Sequence, residues 1–295
     1  MYARTVPTLG AYARDYGTWH PVVPGTLHQL RIAADLFERW AGGPVRVDEL
    51  DERSVATWLR EVAMDRAPAT VRSKRNNLLA LWRAASDDGL CEPPARRIRV
   101  APAPHRNPTA WTLAEVEQLQ EAALGLGRWH PCGLPRAAWW VLAIRVAWAT
   151  GLRWGDQVRL PLEEVTADGQ VAHLQSKTRR VVVRTIDPDT LRLLRDSLQV
   201  APRRLVTPWP ATHQAFSRQF HRVVQQAGVR PGTWKWLRRA GVTGAEAERP
   251  GAGAAHAGHA PGSPVTARAY IDRTQLGLDA AGPRPLQPVA ARIVW

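Results

Sequence analysis

An arginine that follows the end of an apolar helix is the first residue with the setting of a functional side chain. Residues 135–150 predict a strongly apolar helix that stops at Gly151, and Arg153 follows at once in the run ATGLRWGD. An arginine held at the end of a rigid helix can present its guanidinium to an anionic group. A surface arginine at an ordinary helix C-terminus remains the alternative interpretation of this run.

A lysine and an arginine three residues apart form the second candidate. Lys235 and Arg238 occur in the run KWLRR, and on a predicted helix this spacing brings both side chains to one face. The alternative is a basic helix face that contacts phosphates without specificity. The scarcity of lysine argues against this alternative, because only three lysines stand among the 40 basic residues.

A histidine, a tyrosine and a further lysine complete the set. His259 stands eleven residues before Tyr270, with His256 as a nearby competitor for the histidine role. Tyr270 is the only tyrosine after residue 16. Lys177 lies at the turn of a predicted hairpin in the run QSKTRRVVVRTI. A lysine can act as a general acid near neutral pH, whereas an arginine does not give up its proton.

These motifs, in this order across residues 149–272, resemble those of the tyrosine recombinases, the phage integrase family of DNA breaking and rejoining enzymes. That family carries the patterns A-T-G-L-R-x-x-E/D and H-x-L-R, the latter sometimes with lysine in the histidine position. It then carries L-G-H, a short loop and a tyrosine. Asp156 fits the last place of the first pattern, whereas Ala257 replaces the leucine of L-G-H. The loop before Tyr270 is slightly longer than is common in the family.

The resemblance implies a catalytic set and a reaction. The set comprises Arg153, Lys177, Lys235, Arg238, His259 and Tyr270. In the implied reaction the tyrosine attacks a DNA phosphodiester and keeps the 3′ phosphate, while the two arginines and the histidine bind the phosphate oxygens. Lys177 protonates the departing 5′ oxygen, and Lys235 is either a base or a local positive charge. No metal ion or other cofactor is implied.

The composition favours a polyanionic partner. The net charge is +14 and the isoelectric point about 11.1, which indicates nucleic acid rather than membrane. Most of the excess lies in residues 105–295, which hold 25 basic and 14 acidic residues. Two cysteines are too few for a disulfide framework, and no Cys/His set has zinc spacing. Without a long apolar run or a leader-like N-terminus, we expect a cytoplasmic, nucleoid-associated protein.

Hydrophobic periodicity predicts a mainly α protein with a small antiparallel β-sheet. We expect a helical, SAM-like core-binding domain over 1–92, a basic Pro-rich linker over 93–110, an α+β catalytic domain of integrase type over 111–273 and a tail over 274–295. The predicted helices are 26–41, 51–64, 70–85, 112–124, 135–150, 189–198, 213–227, 233–245 and 265–272, the last carrying Tyr270. The predicted strands are 157–161, 171–175 and 180–186, and residues 249–264 are predicted to be irregular.

Further basic residues are candidates for contact with the DNA backbone. They are Arg72, Lys74 and Arg75 on the helix 70–85, Arg96 and Arg97 in the linker, Arg179 and Arg180 at the hairpin turn, and Arg239. A solvated linker without a DNA role is an equally good interpretation of 93–110.

The expected partner is double-stranded DNA. We expect the protein to be a monomer or weak oligomer when free and a homotetramer on DNA. The tail either docks on a neighbouring protomer, as the resemblance implies, or is disordered or packed on its own chain. Two other functions stay open: a non-catalytic DNA-binding relic of this fold, and an enzyme similar to the type IB topoisomerases.

Overall fold

Helices dominate the part of the chain that the structure describes. The computed structural model describes residues 5–102, 104, 107–260 and 262–276, and its sheet there consists of two antiparallel strands. The predicted fold class is therefore confirmed. Contacts divide the chain into two compact units, residues 1–105 and 106–295. Nearly all of the predicted tail lies outside the described residues. No described helix is long and apolar enough to cross a membrane.

The first unit is a small helical bundle. Its helices are α1 (Leu9–Trp19), α2 (Pro24–Ala41), α3 (Glu52–Asp65) and α4 (Pro68–Asp87). Proline stands in the first turn of α2 and α4, where a missing N–H costs nothing, and the Asp51 side chain caps α3. Phe37, Trp58 and Trp82 lie in the apolar core. Helix α1 has no predicted counterpart, whereas α2 to α4 match predicted helices to within a few residues.

The first part of the predicted linker is bonded to this unit. Glu52 Oε1 accepts hydrogen bonds from the main-chain N–H of Ala95 at 2.6 Å and of Arg96 at 3.1 Å. Arg75 donates to the carbonyl of Ile98 at 3.3 Å, and the Ile98 side chain is buried. Proline keeps this stretch out of helix and strand, yet these contacts hold it against the bundle.

The second unit is built around one central helix. Its helices are α5 (Leu113–Leu124), α6 (Arg136–Thr150), α7 (Trp154–Gln157), α8 (Pro188–Val200), α9 (His213–Gln226), α10 (Trp234–Glu248), α11 (Ala252–His256) and α12 (Pro264–Ala269). Helix α6 is buried along nearly its whole length, as its apolar sequence predicts. Trp139 and Trp140 on α6 pack with Trp209 and Phe216 in a cluster of aromatic rings. The central helix ends where the Arg153 motif begins.

The sheet is a hairpin of β1 (Gln170–Leu174) and β2 (Val181–Thr185). Leu174 pairs with Val181 across the two strands, and the turn 175–180 joins them. Arg179 closes this turn with a φ of +53°, a conformation that non-glycine residues rarely adopt. Both predicted strands are present: β1 is shifted by one residue from the predicted strand, and β2 is one residue shorter than predicted at each end.

The third predicted strand, 157–161, is wrong. Gln157 ends the short helix α7, and its side-chain amide is buried and donates to the carbonyl of Ala143 at 2.8 Å. Within this stretch only Pro161 forms a bridge, with Leu205. The apolar alternation of the stretch reflects packing of a helix end on α6 rather than strand pairing.

Two further predictions near the C-terminus need correction. Residues 249–264 are not irregular throughout, because α11 forms within them after Gly251, whose φ is +88°. Helix α12 ends at Ala269, so Tyr270 follows the helix rather than lying on it. The tyrosine has φ −129° and ψ −35°. Its position therefore depends on contacts beyond the helix.

Gly241 allows α10 to cross the end of α6 closely. A Cβ at this position would lie 2.6 Å from the carbonyl oxygen of Trp148 and 3.0 Å from Nε2 of His256. The first distance is shorter than real Cβ contacts, and the second is unusually tight. This close approach brings the predicted functional face of α10 to the end of α6.

We expect Gly241→Ala to lower the free energy of unfolding by about 1–3 kcal/mol, because the added methyl group forces the two helices apart. The matched control is Gly25→Ala in α2, where an added Cβ meets nothing within 4 Å. It should leave stability unchanged or raise it by up to about 1 kcal/mol. Urea unfolding followed by circular dichroism measures both. Equal midpoints for the two variants would contradict the close approach.

Candidate active site

Tyr270 lies among the side chains that the sequence motifs single out. The guanidinium carbon of Arg238 is 4.8 Å from the centre of its ring, and the ammonium nitrogen of Lys235 is 5.7 Å away. The ring of His259 packs edge-on against it, with centroids 5.1 Å apart. Helix α10, the loop after α11 and the end of α12 thus bring four predicted catalytic residues together.

Arg238 is the buried centre of this arrangement. The residue is only 3 % exposed, and its guanidinium donates to the carbonyls of Gly151 and of Ala257, the latter at 2.7 Å. Gly151 ends α6 in the left-handed conformation, with φ +58°. Burial lowers the pKa of Arg238 to about 10, so the group keeps its charge near neutral pH. A fixed positive charge therefore faces Tyr270.

Arg153 joins the group through a glutamine. It precedes α7, and its guanidinium donates to Oε1 of Gln175 at 2.9 Å. The side-chain amide of Gln175 donates in turn to the carbonyl of Ala257 at 3.3 Å, the same carbonyl that Arg238 binds. One main-chain oxygen therefore links the supports of both arginines.

The phenol of Tyr270 is made more acidic by these cations. Burial raises the pKa of Tyr270, but the positive charges of Arg238, Arg153 and Lys235 outweigh burial and lower it overall. A lowered phenol pKa is the property that a tyrosine nucleophile requires.

Lys235 reaches the ring from the exposed side of α10. Partial burial of its ammonium lowers the pKa of Lys235, and the cations Arg239 and Arg238 lower it further. The phenol of Tyr270 acts in the opposite direction. Lys235 therefore lowers the pKa of Tyr270, and Tyr270 raises the pKa of Lys235.

The structure brings His259, rather than its competitor, to the tyrosine. Nδ1 of His259 lies 2.9 Å from the hydroxyl oxygen of Thr266, and burial together with nearby arginines lowers its pKa to about 4. His256 instead packs with its ring against Gly151 and Gly241. Burial lowers the pKa of His256 to about 3. Both histidines are therefore neutral at pH 7, and the ring of His259 is the one that packs on the ring of Tyr270.

Lys177 lies on the exposed turn between β1 and β2. Its charge is close enough to lower the pKa of Lys235, and the charge of Arg180 lowers the pKa of His259. The hydroxyl of Thr178 donates to Gln175 Oε1 at 2.9 Å, which ties the turn to the support of Arg153. The hairpin turn is thus near the other candidates.

The predicted DNA-binding residues differ in their surroundings. Those that are exposed are Arg72, Arg96, Arg97, Arg179 and Arg180. Lys74 is partly buried, which lowers its pKa. Arg75 also binds Ile98, as described above. Arg239 donates to the carbonyls of Ala269 at 3.0 Å and Thr109 at 3.1 Å, so part of its guanidinium serves the fold. DNA contact by all eight residues stays a prediction.

Two residues at the site are absent from the predicted catalytic and DNA-binding sets. Gln175 orients Arg153, as shown above. The buried Asp156 accepts from the main-chain N–H of Ser176 at 3.2 Å and has an oxygen 3.8 Å from Arg153 Nη1. A signal for Gln175 existed in the sequence: it follows Val171 and His173 at a spacing of two, on the face of β1 that turns inward. A polar residue on a buried strand face has to bind something.

In the described part of the chain no three His, Cys, Asp or Glu residues are grouped as metal ligands. The expectation that no cofactor is needed stays a prediction.

We expect Lys235→Gln to raise the pKa of the Tyr270 phenol, because one of the cations that offset burial is removed. The measurement is a pH titration by NMR of protein labelled with ¹³C at tyrosine Cζ, with the signal assigned through Tyr270→Phe. Lys74→Gln, in the first unit, is the matched control and should leave the titration unchanged. An unaltered Tyr270 titration in Lys235→Gln would show that this lysine does not polarise the phenol.

Solved structures share this fold, although neither a model of a protein family nor the sequence of a curated protein matches the chain. The lambda integrase(75-356) dimer bound to a COC' core site is 19% identical, with a TM-score of 0.71, over 94% of this chain and 100% of that chain. The XerH site-specific recombinase bound to difH substrate is 16% identical, with a TM-score of 0.66, over 83% and 75%. The Tn1549 transposon integrase in complex with circular intermediate DNA is 14% identical, with a TM-score of 0.64, over 86% and 92%. The fold of this chain is therefore that of the tyrosine recombinases, as the sequence motifs predicted.

Proposed function

We propose that the protein is a site-specific DNA recombinase or integrase that cleaves and rejoins DNA through a 3′-phosphotyrosyl intermediate. The observation that carries the proposal is the set of cations around Tyr270, which lowers the phenol pKa against the effect of burial. Arg238 and Arg153, each fixed by hydrogen bonds to the chain, supply two of those charges. A tyrosine in such a setting is suited to attack an anionic phosphorus centre.

In the proposed reaction, the two guanidiniums bind the non-bridging oxygens of one DNA phosphate. Charge-assisted hydrogen bonds from arginine offset the charge that otherwise repels a nucleophile. They also stabilise the extra negative charge of the transition state. Because both side chains are already held in place, little reorganisation accompanies binding.

His259 is proposed to donate a hydrogen bond to the same phosphate. If the hydroxyl of Thr266 donates to Nδ1, the neutral ring carries its proton on Nε2. This tautomer is a donor without being a further buried charge. Its low pKa keeps the ring in this form at neutral pH.

The bond changes of the cleavage step balance within the site. The phenol oxygen of Tyr270 forms a bond to phosphorus and loses its proton, with Lys235 acting as the base or as a nearby positive charge. The bond from phosphorus to the 5′ oxygen breaks, and Lys177 gives that oxygen a proton. Rejoining reverses these steps, since the phosphotyrosine conserves the bond energy, and the sequence of steps uses no metal ion and no nucleotide.

The proposed partner is double-stranded DNA, bound by a homotetramer. The net charge of +14 supports an affinity dominated by phosphate contacts and therefore steeply dependent on salt. A lambda integrase structure with a TM-score of 0.67 and 19% identity is a tetramer bound to a Holliday junction. That assembly suggests the same for this chain.

We expect a covalent adduct between the protein and nicked DNA. The substrate is a pool of nicked duplexes with randomised sequence. After cleavage, the short fragment that carries the free 5′ hydroxyl diffuses away from the nick, so the adduct cannot be rejoined. Adducts are captured under denaturing conditions, and their DNA is sequenced. Tyr270→Phe should abolish the adduct, and Tyr16→Phe, the matched control in the first unit, should retain it. Arg153→Ala should lower the cleavage rate by about 10²–10³-fold with DNA binding kept. Arg238→Lys, which keeps the charge but loses the planar fork, should also cleave slowly.

Two outcomes would contradict the proposal. Tight binding to a selected sequence without an adduct would indicate a DNA-binding relic of the fold. Relaxation of arbitrary supercoiled plasmids without sequence selection would indicate a topoisomerase.

We expect Lys177→Ala to slow cleavage by about 10²–10⁴-fold, because the 5′ oxygen then leaves without a proton. A substrate with sulfur in place of that oxygen should restore the rate, since a thiolate leaves without protonation. Arg179→Ala, at the same turn, is the matched control and should show no such rescue. If Lys177→Ala remains slow on the sulfur substrate, the lysine is not the general acid.

A further inference from the structure

The residues around Tyr270 are hydrogen-bonded to the first residues of the second unit. We call residues 107–110 the strap and residues 269–275 the nucleophile segment. The two lie about 160 positions apart in the sequence, and six hydrogen bonds join them directly or through Arg239 of α10. The sequence motifs give no sign of this connection.

Asp272, two residues after the tyrosine, is the main junction. Its carboxylate accepts from the Asn107 side chain at 2.9 Å and from the main-chain N–H of Ala110 at 3.0 Å. It also accepts from Thr274 and from Gln275 within its own segment. Asp272 is 2 % exposed, and these bonds lower its pKa although burial opposes them. A buried carboxylate satisfied by so many donors is firmly held in place.

Arg239 makes the second junction, from the other side of α10. Its Nε donates to the carbonyl of Ala269, which directly precedes Tyr270, and its Nη1 donates to the carbonyl of Thr109 in the strap. One planar guanidinium thereby holds both segments at a fixed separation.

The strap itself is anchored in the core of the second unit. The carbonyl of Ala110 accepts from Arg230, whose guanidinium forms an ion pair with Glu115 at 2.6 Å. Trp111, which follows the strap, is fully buried against Phe220 and Trp236. The strap can therefore serve as a fixed point for the segment bonded to it.

The nucleophile segment needs such a fixed point. Helix α12 has six residues, too few to be stable by itself, and Tyr270 lies beyond its end. The main-chain N–H of Asp272 donates to Thr243 on α10 at 2.9 Å, which adds a third attachment. The distance from the phenol to the cations on α10 is thus set by attachments on both sides of the tyrosine.

We propose that Asp272 and Arg239 are positioning residues, which hold the nucleophile segment on the strap so that Tyr270 faces Arg238 and Lys235. The inference rests on the proposed function for its effect on DNA cleavage. Its effect on the position of the tyrosine does not depend on that function. Neither residue contacts a reacting atom.

The test uses Asp272→Asn in the full chain. The variant keeps the size of the side chain, but an NH₂ group replaces one of the two carboxylate oxygens. This NH₂ group then faces N–H donors instead of accepting from them, so the junction with the strap is lost. Hydrogen exchange should become at least about tenfold faster over residues 264–276, equivalent to about 1.4 kcal/mol of local opening. The phenol pKa of Tyr270, followed by ¹³C NMR, should rise as the tyrosine leaves its cations. Asp196→Asn, on α8 of the same unit, is the matched control and should change neither.

A second variant tests the strap itself. Asn107 is exposed, so Asn107→Ala removes one donor to Asp272 at little risk to folding. It should raise the phenol pKa of Tyr270 and speed hydrogen exchange over residues 264–276, both by less than Asp272→Asn does. The double variant should show less than the sum of the two single effects, because both remove the same contact.

The DNA readout separates the two proposals. If wild type forms the covalent adduct, Asp272→Asn should form it at least about tenfold more slowly at unchanged DNA affinity. If wild type forms no adduct, the proposed function fails, while exchange and titration still decide the positioning role. Exchange and Tyr270 titration identical to wild type in Asp272→Asn would overturn the inference.

Discussion

The burial of one guanidinium determines how the second unit is arranged. Arg238 is buried, and a buried charged group without hydrogen-bond partners costs several kcal/mol, so its two Nη groups need acceptors. The acceptors are the carbonyls of Gly151 and Ala257, which are free because each lies at or just beyond the end of a helix. Helices α6 and α11 therefore have to end beside α10. The left-handed Gly151 and the close approach at Gly241 are two ways in which the chain meets this requirement.

A second consequence is a cluster of positive charge around the phenol of Tyr270. Arg153, Arg238 and Lys235 each lower the pKa of Tyr270, and each would repel the others in the absence of an anion. Asp156 offsets part of this charge from behind Arg153, 3.8 Å away. The half-buried His259 stays neutral and adds no further repulsion. A bound anion would relieve the repulsion among these cations, which agrees with the proposed binding of a DNA phosphate.

The sequence predicted most of the fold and the identity of the residues around Tyr270, and the exceptions have physical causes. Helical periodicity and helix-end signals depend on neighbouring residues, and the order of the motifs is read directly along the chain. All three can therefore be recognised from the sequence. The strand predicted over 157–161 was wrong because alternation alone does not distinguish a strand from a helix end packed on α6. Gln175 links Arg153, 22 positions away, to Ala257, 82 positions away. Asp272, which helps to position Tyr270, binds Ala110, 162 positions away. Only the folded chain brings those partners together.

The site has a rigid part and a part that is attached to it. Arg238 is fixed by the main-chain carbonyls of Gly151 and Ala257, and Arg153 is fixed by the side chain of Gln175, so neither arginine is positioned by the tyrosine segment. Tyr270 follows a six-residue helix and is held by Asp272, Arg239 and Thr243. Displacing the nucleophile segment is therefore expected to leave Arg153 and Arg238 in place, whereas disturbing Arg238 should affect both parts. Under the proposed function, phosphate binding and nucleophilic attack are separable, because different contacts hold the arginines and the tyrosine.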